Sequence, residues 1–270
     1  MNINLTAFFA KFLIACLLFY SNNSAAKESF LIKKDAQILE KKGLIHERHS
    51  PCSTFKIPLS LMAYNENILI DENNPKIPYN DTYQESREIC KQACNPLKWI
   101  RRSCIWYSQI ITQKLGMEKF QNYVTQFNYG NQNLSGNFEK NDGLTNSWLS
   151  SSLQISVEEQ VEFLEKFLNK QLPIKDSACE KTHDILYIED FTQSFKLYGK
   201  TGSGYCLNPD GSLDDNRQLG WFIGWLEKDM CKIIFAFYIE DETKENIPAG
   251  LRAKELANDK LLQLIKHEGL

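Results

Sequence analysis

A chain of 270 residues, 43% of them hydrophobic, is long enough to bury a full core. Its charged fraction of 24% and aromatic fraction of 12% exclude a disordered or low-complexity chain. A formal net charge of −3 leaves no concentrated basic face for nucleic acid, and Arg101-Arg102 is too short a run to be more than a solvated helix face.

The N-terminus reads as an export signal covering residues 1–26, which leaves 27–270 as the mature chain. Lys11 precedes the apolar run from Phe12 to Tyr20, too short to span a bilayer, and Ser24-Ala25-Ala26 offers a cleavage site before Lys27. Leu13-Ile14-Ala15-Cys16 also fits a lipoprotein box. Lipidation at Cys16 would start the mature chain on Leu17-Leu18-Phe19-Tyr20 rather than on a polar tether, which favours cleavage before Lys27. No later segment approaches the ~20 apolar residues of a membrane span. The expectation is a periplasmic or secreted protein without a stable membrane span, its oligomeric state left open.

Further along, Phe30-Leu31-Ile32 and the residues up to Ser50 supply the first strands. From Ser53, Phe55, Ile57, Leu59, Leu61 and Met62 predict a buried helix that stops near Asn65-Glu66-Asn67, before a loop punctuated by Pro75, Pro78 and Asn80-Asp81. Helical periodicity returns from Ile105 to Leu115. Ser156 and Glu159 form a capping box, followed by an apolar face of Val157, Val161, Leu164 and Leu168. Three segments rich in β-branched and aromatic residues, 195–206, 218–226 and 231–239, read as adjacent antiparallel strands. Ala253, Ala257, Leu261, Leu264 and Ile265 give a closing helix. The order implies an α/β (α+β) fold: an antiparallel sheet flanked by terminal helices, built from roughly 27–50 and 190–270. An all-helical subdomain, roughly 51–189, is inserted, and the site lies in the cleft between them.

Export makes disulfides possible. Without Cys16 the mature chain has seven of the eight cysteines, so at least one stays unpaired. Cys90 and Cys94 suit a short loop bridge but not disulfide geometry within one helix, and the connectivity stays open. No second Cys or His pair stands at zinc-ligand spacing, and His46-Glu47-Arg48-His49 does not match His-Glu-x-x-His, so no metal is expected.

Ser53-Thr54-Phe55-Lys56 carries the first chemical signal. A spacing of three on a helix places both side chains on one face, and a serine at a helix start lies beside orphan N–H groups able to stabilise an oxyanion. Alone this is weak, since Ser24-Ala25-Ala26-Lys27 has the same spacing in the export segment. Lys200-Thr201-Gly202-Ser203-Gly204 lacks the ending of a phosphate loop and no helix follows it. Taken in order, however, Ser53-Thr54-Phe55-Lys56, Ser103-Cys104-Ile105, Tyr129-Gly130-Asn131, Trp148, Lys200-Thr201-Gly202 and the strand Gly220–Trp225 resemble the class D (oxacillinase) serine β-lactamases of the penicillin-recognising family, over essentially all of the mature chain.

That resemblance implies β-lactam hydrolysis through an acyl-enzyme on Ser53, with a small-molecule β-lactam as substrate and no metal. It makes Lys56 the general base of both steps, carboxylated by carbon dioxide, and Ile105 in place of an asparagine sharpens this assignment. The chemistry agrees, because only a neutral amine takes up carbon dioxide and an apolar pocket favours that form. Phe55 and Ile105 are suited to wall such a pocket, and the Trp148 indole N–H to serve the buried carbamate. The resemblance further assigns proton transfer to Ser103 and the oxyanion hole to the backbone N–H groups of Ser53 and Ser203. Substrate binding falls to Lys200, Thr201, Gly202 and Arg252, and pocket shaping to Tyr129. Cys52 replaces the usual small residue before the nucleophile, either as a buried thiol or bonded to a cysteine such as Cys104 or Cys206. Two rivals are a β-lactam sensor domain that acylates without turnover and a penicillin-binding transpeptidase.

Overall fold

The computed structural model describes residues 27–35 and 37–269; the export signal and Cys16 lie outside these. In chain order the elements are β1 (Lys27–Lys34), β2 (Gln37–Lys42), β3 (Arg48–His49), a 3-10 turn (Cys52–Phe55), α1 (Lys56–Asn65), a second 3-10 turn (Glu88–Cys90), α2 (Pro96–Arg102) and α3 (Ile105–Gln126). There follow α4 (Gly143–Asn146), β4 (Ile155–Ser156), α5 (Val157–Leu168), α6 (Asp176–Ile185), β5 (Tyr187–Asp190), β6 (Lys196–Leu207), β7 (Leu213–Lys228), β8 (Cys231–Glu240) and α7 (Ala249–Glu268).

A six-stranded sheet in the order β2-β1-β8-β7-β6-β5 joins the two ends of the chain, with every pairing antiparallel. Strand alternation splits its side chains between two cores. Phe30, Ile32, Phe222, Phe235 and Phe237 pack against Ala253, Ala257 and Leu261 of α7. Leu31, Trp221, Ile223 and Ala236 face the helical part, with Phe55, Trp148 and Val161. Ser156 caps α5 in the predicted box with Glu159.

The inserted part is not wholly helical. β3 and β4 form a two-stranded ribbon, and β5 joins the main sheet a few residues before the predicted boundary. Short polar strands such as Tyr187–Asp190 carry no alternation that marks them in sequence. Among the described residues only the C-terminal end contributes a helix to the sheet; the N-terminal end contributes β1, which pairs with β8 along its whole length.

β5 pairs with β6 only as far as Tyr198, so the edge of β6 beyond it turns towards the helical part. There β6 runs close against the first 3-10 turn. A Cβ at Gly202 would lie 2.9 Å from the Pro51 carbonyl oxygen, and one at Gly204 would lie 2.5 Å from Cys52 Sγ. Glycine at both positions is what allows the strand to reach the turn.

Candidate active site

Pro51 starts the 3-10 turn, and its carbonyl accepts hydrogen bonds from Thr54 N at 3.1 Å and Thr54 Oγ1 at 2.7 Å. Cys52 takes a left-handed φ of 49°, which turns the chain into the helix and presents Ser53 half-buried at its start. One turn on, Lys56 is 1% exposed and its Nζ donates to Ser53 Oγ at 3.1 Å. Burial first, then the positive charges of Lys200 and Arg87, push its ammonium well below the usual lysine range. The direction of that shift favours the neutral form of the amine.

Phe55, the residue before Lys56, belongs to a buried aromatic cluster. Phe55 is fully buried, stacked on Trp148 at 5.5 Å and edge-on to Phe120 and Tyr129. Tyr129 lies behind Phe55 with its hydroxyl on Gln160, and burial raises its phenol far above reach of proton transfer. Trp148 has its carbonyl held by Ser50 Oγ at 2.9 Å, yet its own Nε1–H is buried without a partner. A buried donor left unpaired costs about 1–3 kcal/mol, so it marks a place where an acceptor belongs.

Ser103 separates α2 from α3. It adopts a left-handed φ of 63° at the C-terminal cap of α2, and its hydroxyl too is buried without a partner. Ile105, half-buried, is the first residue of α3. From the sheet side comes Lys200, 4% exposed, its Nζ donating to the Thr201 carbonyl at 2.9 Å; burial and the nearby Arg87 charge lower its pKa to about 7. Ser203 follows Gly202 past the turn, and its Oγ accepts from Gly250 N at 2.9 Å, tying β6 to the start of α7. A cavity of about 470 Å³ opens beside Lys200 and Thr201, walled by Ile100, Ile185, Ile188 and Leu251.

Arg252 is the departure. Its Nη1 donates to Asp241 Oδ1 at 2.7 Å and its Nη2 pairs with Asp241 and Gln218, where β7 begins to pair with the end of β8. Any substrate carboxylate would have to compete for this guanidinium with a carboxylate that is 5% exposed. The structure also gives the cysteine pairing that the sequence leaves open. Cys90 bonds Cys104, while Cys52, Cys94 and Cys206 are buried thiols. Cys52 packs among Ser50, Ser150 and Gly204, and burial raises its thiol pKa, which makes it inert filling. Glu85 and Arg87, which the sequence did not single out, line the same region. Glu85 lies near Cys90 and Cys104 in a metal-like cluster, but both sulfurs are spent in the disulfide.

A serine hydroxyl held by a buried lysine beside an open strand edge is the layout of a serine acyl-transfer enzyme. The family described as penicillin binding protein transpeptidase domain matches residues 20–261, and the chain belongs to it, within the class D serine β-lactamases. It is 38% identical to β-lactamase OXA-1 of Escherichia coli over 268 residues, 92% of this chain and 94% of that protein. It is 37% identical to β-lactamase OXA-9 of Klebsiella pneumoniae over 209 residues, 77% of this chain and 76% of that protein. Among solved structures, the OXA-427 class D β-lactamase superposes with a TM-score of 0.84 at 39% identity, covering 89% of this chain and 99% of that one.

Proposed function

We propose that this protein is exported to the periplasm and there hydrolyses β-lactam antibiotics through an acyl-enzyme on Ser53. The observation that carries the reading is the 3.1 Å hydrogen bond from a fully buried Lys56 to the Ser53 hydroxyl. Ser53 Oγ attacks the lactam carbonyl carbon, its proton leaves towards Lys56, and the C–N bond opens. Ser103 passes a proton to the departing lactam nitrogen. The backbone N–H groups of Ser53 and Ser203 hold the oxyanion, and Lys200 with Thr201 holds the substrate carboxylate. Water activated from the Lys56 side then releases the product.

Carbon dioxide bound as a carbamate on Lys56 would supply a stronger general base for both steps. The site's own residues suit it: an amine pushed towards its neutral form, and an unpaired buried donor on Trp148 next to Phe55. Arg252 has no part in this scheme.

The test is incubation with a chromogenic cephalosporin and a penicillin. Turnover of either, lost in Ser53→Ala, supports the reading, and folded protein that turns over neither overturns it. Stable acylation without turnover would mark a sensor, and crosslinking of peptidoglycan stem peptides a transpeptidase. Isotopic bicarbonate should give a carbamate carbon signal that Lys56→Ala abolishes, with added bicarbonate restoring activity lost at low pH.

A further inference from the structure

Ser103 is held in an unusual way. It is a non-glycine residue in the left-handed region, which strains an L side chain, and it sits where one helix ends and the next begins, so several backbone groups lack helical partners. Its hydroxyl makes no hydrogen bond to the protein. With no hydrogen bond of its own, Ser103 Oγ takes its place from the backbone of 102–105 and from the packing that buries it.

That backbone is gripped by one segment, residues 85–90. Arg87 Nη1 donates to the Arg102 carbonyl at 3.0 Å and Nη2 to the Ser103 carbonyl at 2.6 Å, satisfying the end of α2. Glu85 Oε2 accepts from Ile105 N at 3.1 Å, supplying the cap that Cys104 does not give α3, and its negative charge suits a helix start. The same Glu85, its side chain fully buried, pairs with Arg87 Nε at 3.2 Å. Cys90 is bonded to Cys104, the residue between Ser103 and Ile105, and its carbonyl accepts from Trp106 Nε1 at 2.9 Å. Charge-assisted hydrogen bonds and a covalent bridge thus converge on a residue whose own side chain is untethered.

We propose that Glu85, Arg87 and the Cys90–Cys104 bridge form a strap that positions Ser103, and that through it they set the rate of acylation. They are positioning residues, since each acts on the backbone around Ser103. The inference rests on the reading of Ser103 as the proton-transfer group.

Arg87→Lys is the informative variant, because it keeps the positive charge near Lys56 and Lys200 but loses the fork that spans two carbonyls. Acylation kcat/KM, followed by stopped flow with a chromogenic cephalosporin, should fall about 10-fold, since misplacement by about 1 Å costs up to about 100-fold. On a Ser103→Ala background the same change should have less than about a 2-fold effect, because the group being positioned is gone. The paired Cys90→Ser/Cys104→Ser variant should show the same dependence on Ser103, and it stands in if Arg87→Lys does not fold by thermal melting. Full loss persisting in the Ser103→Ala background, or folded strap variants with unchanged acylation, overturns the strap. Unchanged acylation in Ser103→Ala itself overturns the reading of Ser103 instead.

Discussion

Trp148→Phe separates the packing of the indole from its N–H. Phenylalanine keeps a ring for the stack on Phe55 and the edge contact with Phe120, but removes the buried unpaired Nε1–H. Two opposing effects act on stability. The smaller ring leaves a void costing about 1 kcal/mol, while deleting an unsatisfied donor relieves about 1–3 kcal/mol. The variant lacking bound carbon dioxide should therefore melt at or slightly above the wild-type temperature, where an ordinary core tryptophan would lose stability. Carbon dioxide uptake should respond the other way. A charge-assisted hydrogen bond contributes about 1.5–3 kcal/mol, so half-saturation of activity by bicarbonate should move up by about 10- to 150-fold. Rates at rising bicarbonate, with the carbamate carbon signal read in parallel, measure this. Wild-type carbon dioxide affinity in a folded Trp148→Phe protein would refute the assignment of the N–H to Lys56.

Arg252→Ala should cost about 2–3 kcal/mol in a urea melt by leaving Asp241 buried and unpaired, while changing KM for a penicillin less than about 3-fold; a large KM effect without destabilisation would restore Arg252 to the substrate site. Cys90→Ser/Cys104→Ser opens a short loop, so its unfolding free energy should drop by about 3 kcal/mol, read as a lower denaturation midpoint. Lys200 is lowered to about 7 in the folded protein but titrates near 10.4 when unfolded, so between these values the unfolded chain binds more protons and stability rises with pH. Its share approaches about 1.4 kcal/mol per pH unit above pH 7.5, and Lys200→Met should remove that share of the slope. The comparison belongs below about pH 8.5, where ionisation of unfolded thiols begins to act against it through Cys52, Cys94 and Cys206, whose folded pKa values are raised.

Much was legible in the sequence because it is written in local pattern. The alternation in 218–226 and 231–239 specifies two faces, and the structure fills them with α7 on one side and the helical part on the other. The Ser156–Glu159 cap and the helix after Ser53 follow from short-range chemistry, and the serine-lysine hydrogen bond follows from spacing on one turn. The Lys200-Thr201-Gly202 motif is visible in the sequence, but only the packed strand gives the reason for its glycine, the approach to Pro51.

What depends on chain crossings was not legible. Cys90 bonds Cys104 rather than Cys94 because the loop after Glu85 folds back over the start of α3, and nothing in the spacing of cysteines distinguishes these pairings. Glu85 and Arg87 sit in a polar loop with no motif, and their place beside Ser103 exists only once α2 and α3 present a carbonyl pair and an N–H to them. Arg252 has the right charge and stands near the right helix start, yet Asp241 at the end of β8 claims it. The sequence by itself therefore determined the residues able to react and the elements that carry them. Tertiary structure decided which charges are satisfied by neighbours and which remain for a substrate, because burial and pairing arise between segments distant in the chain.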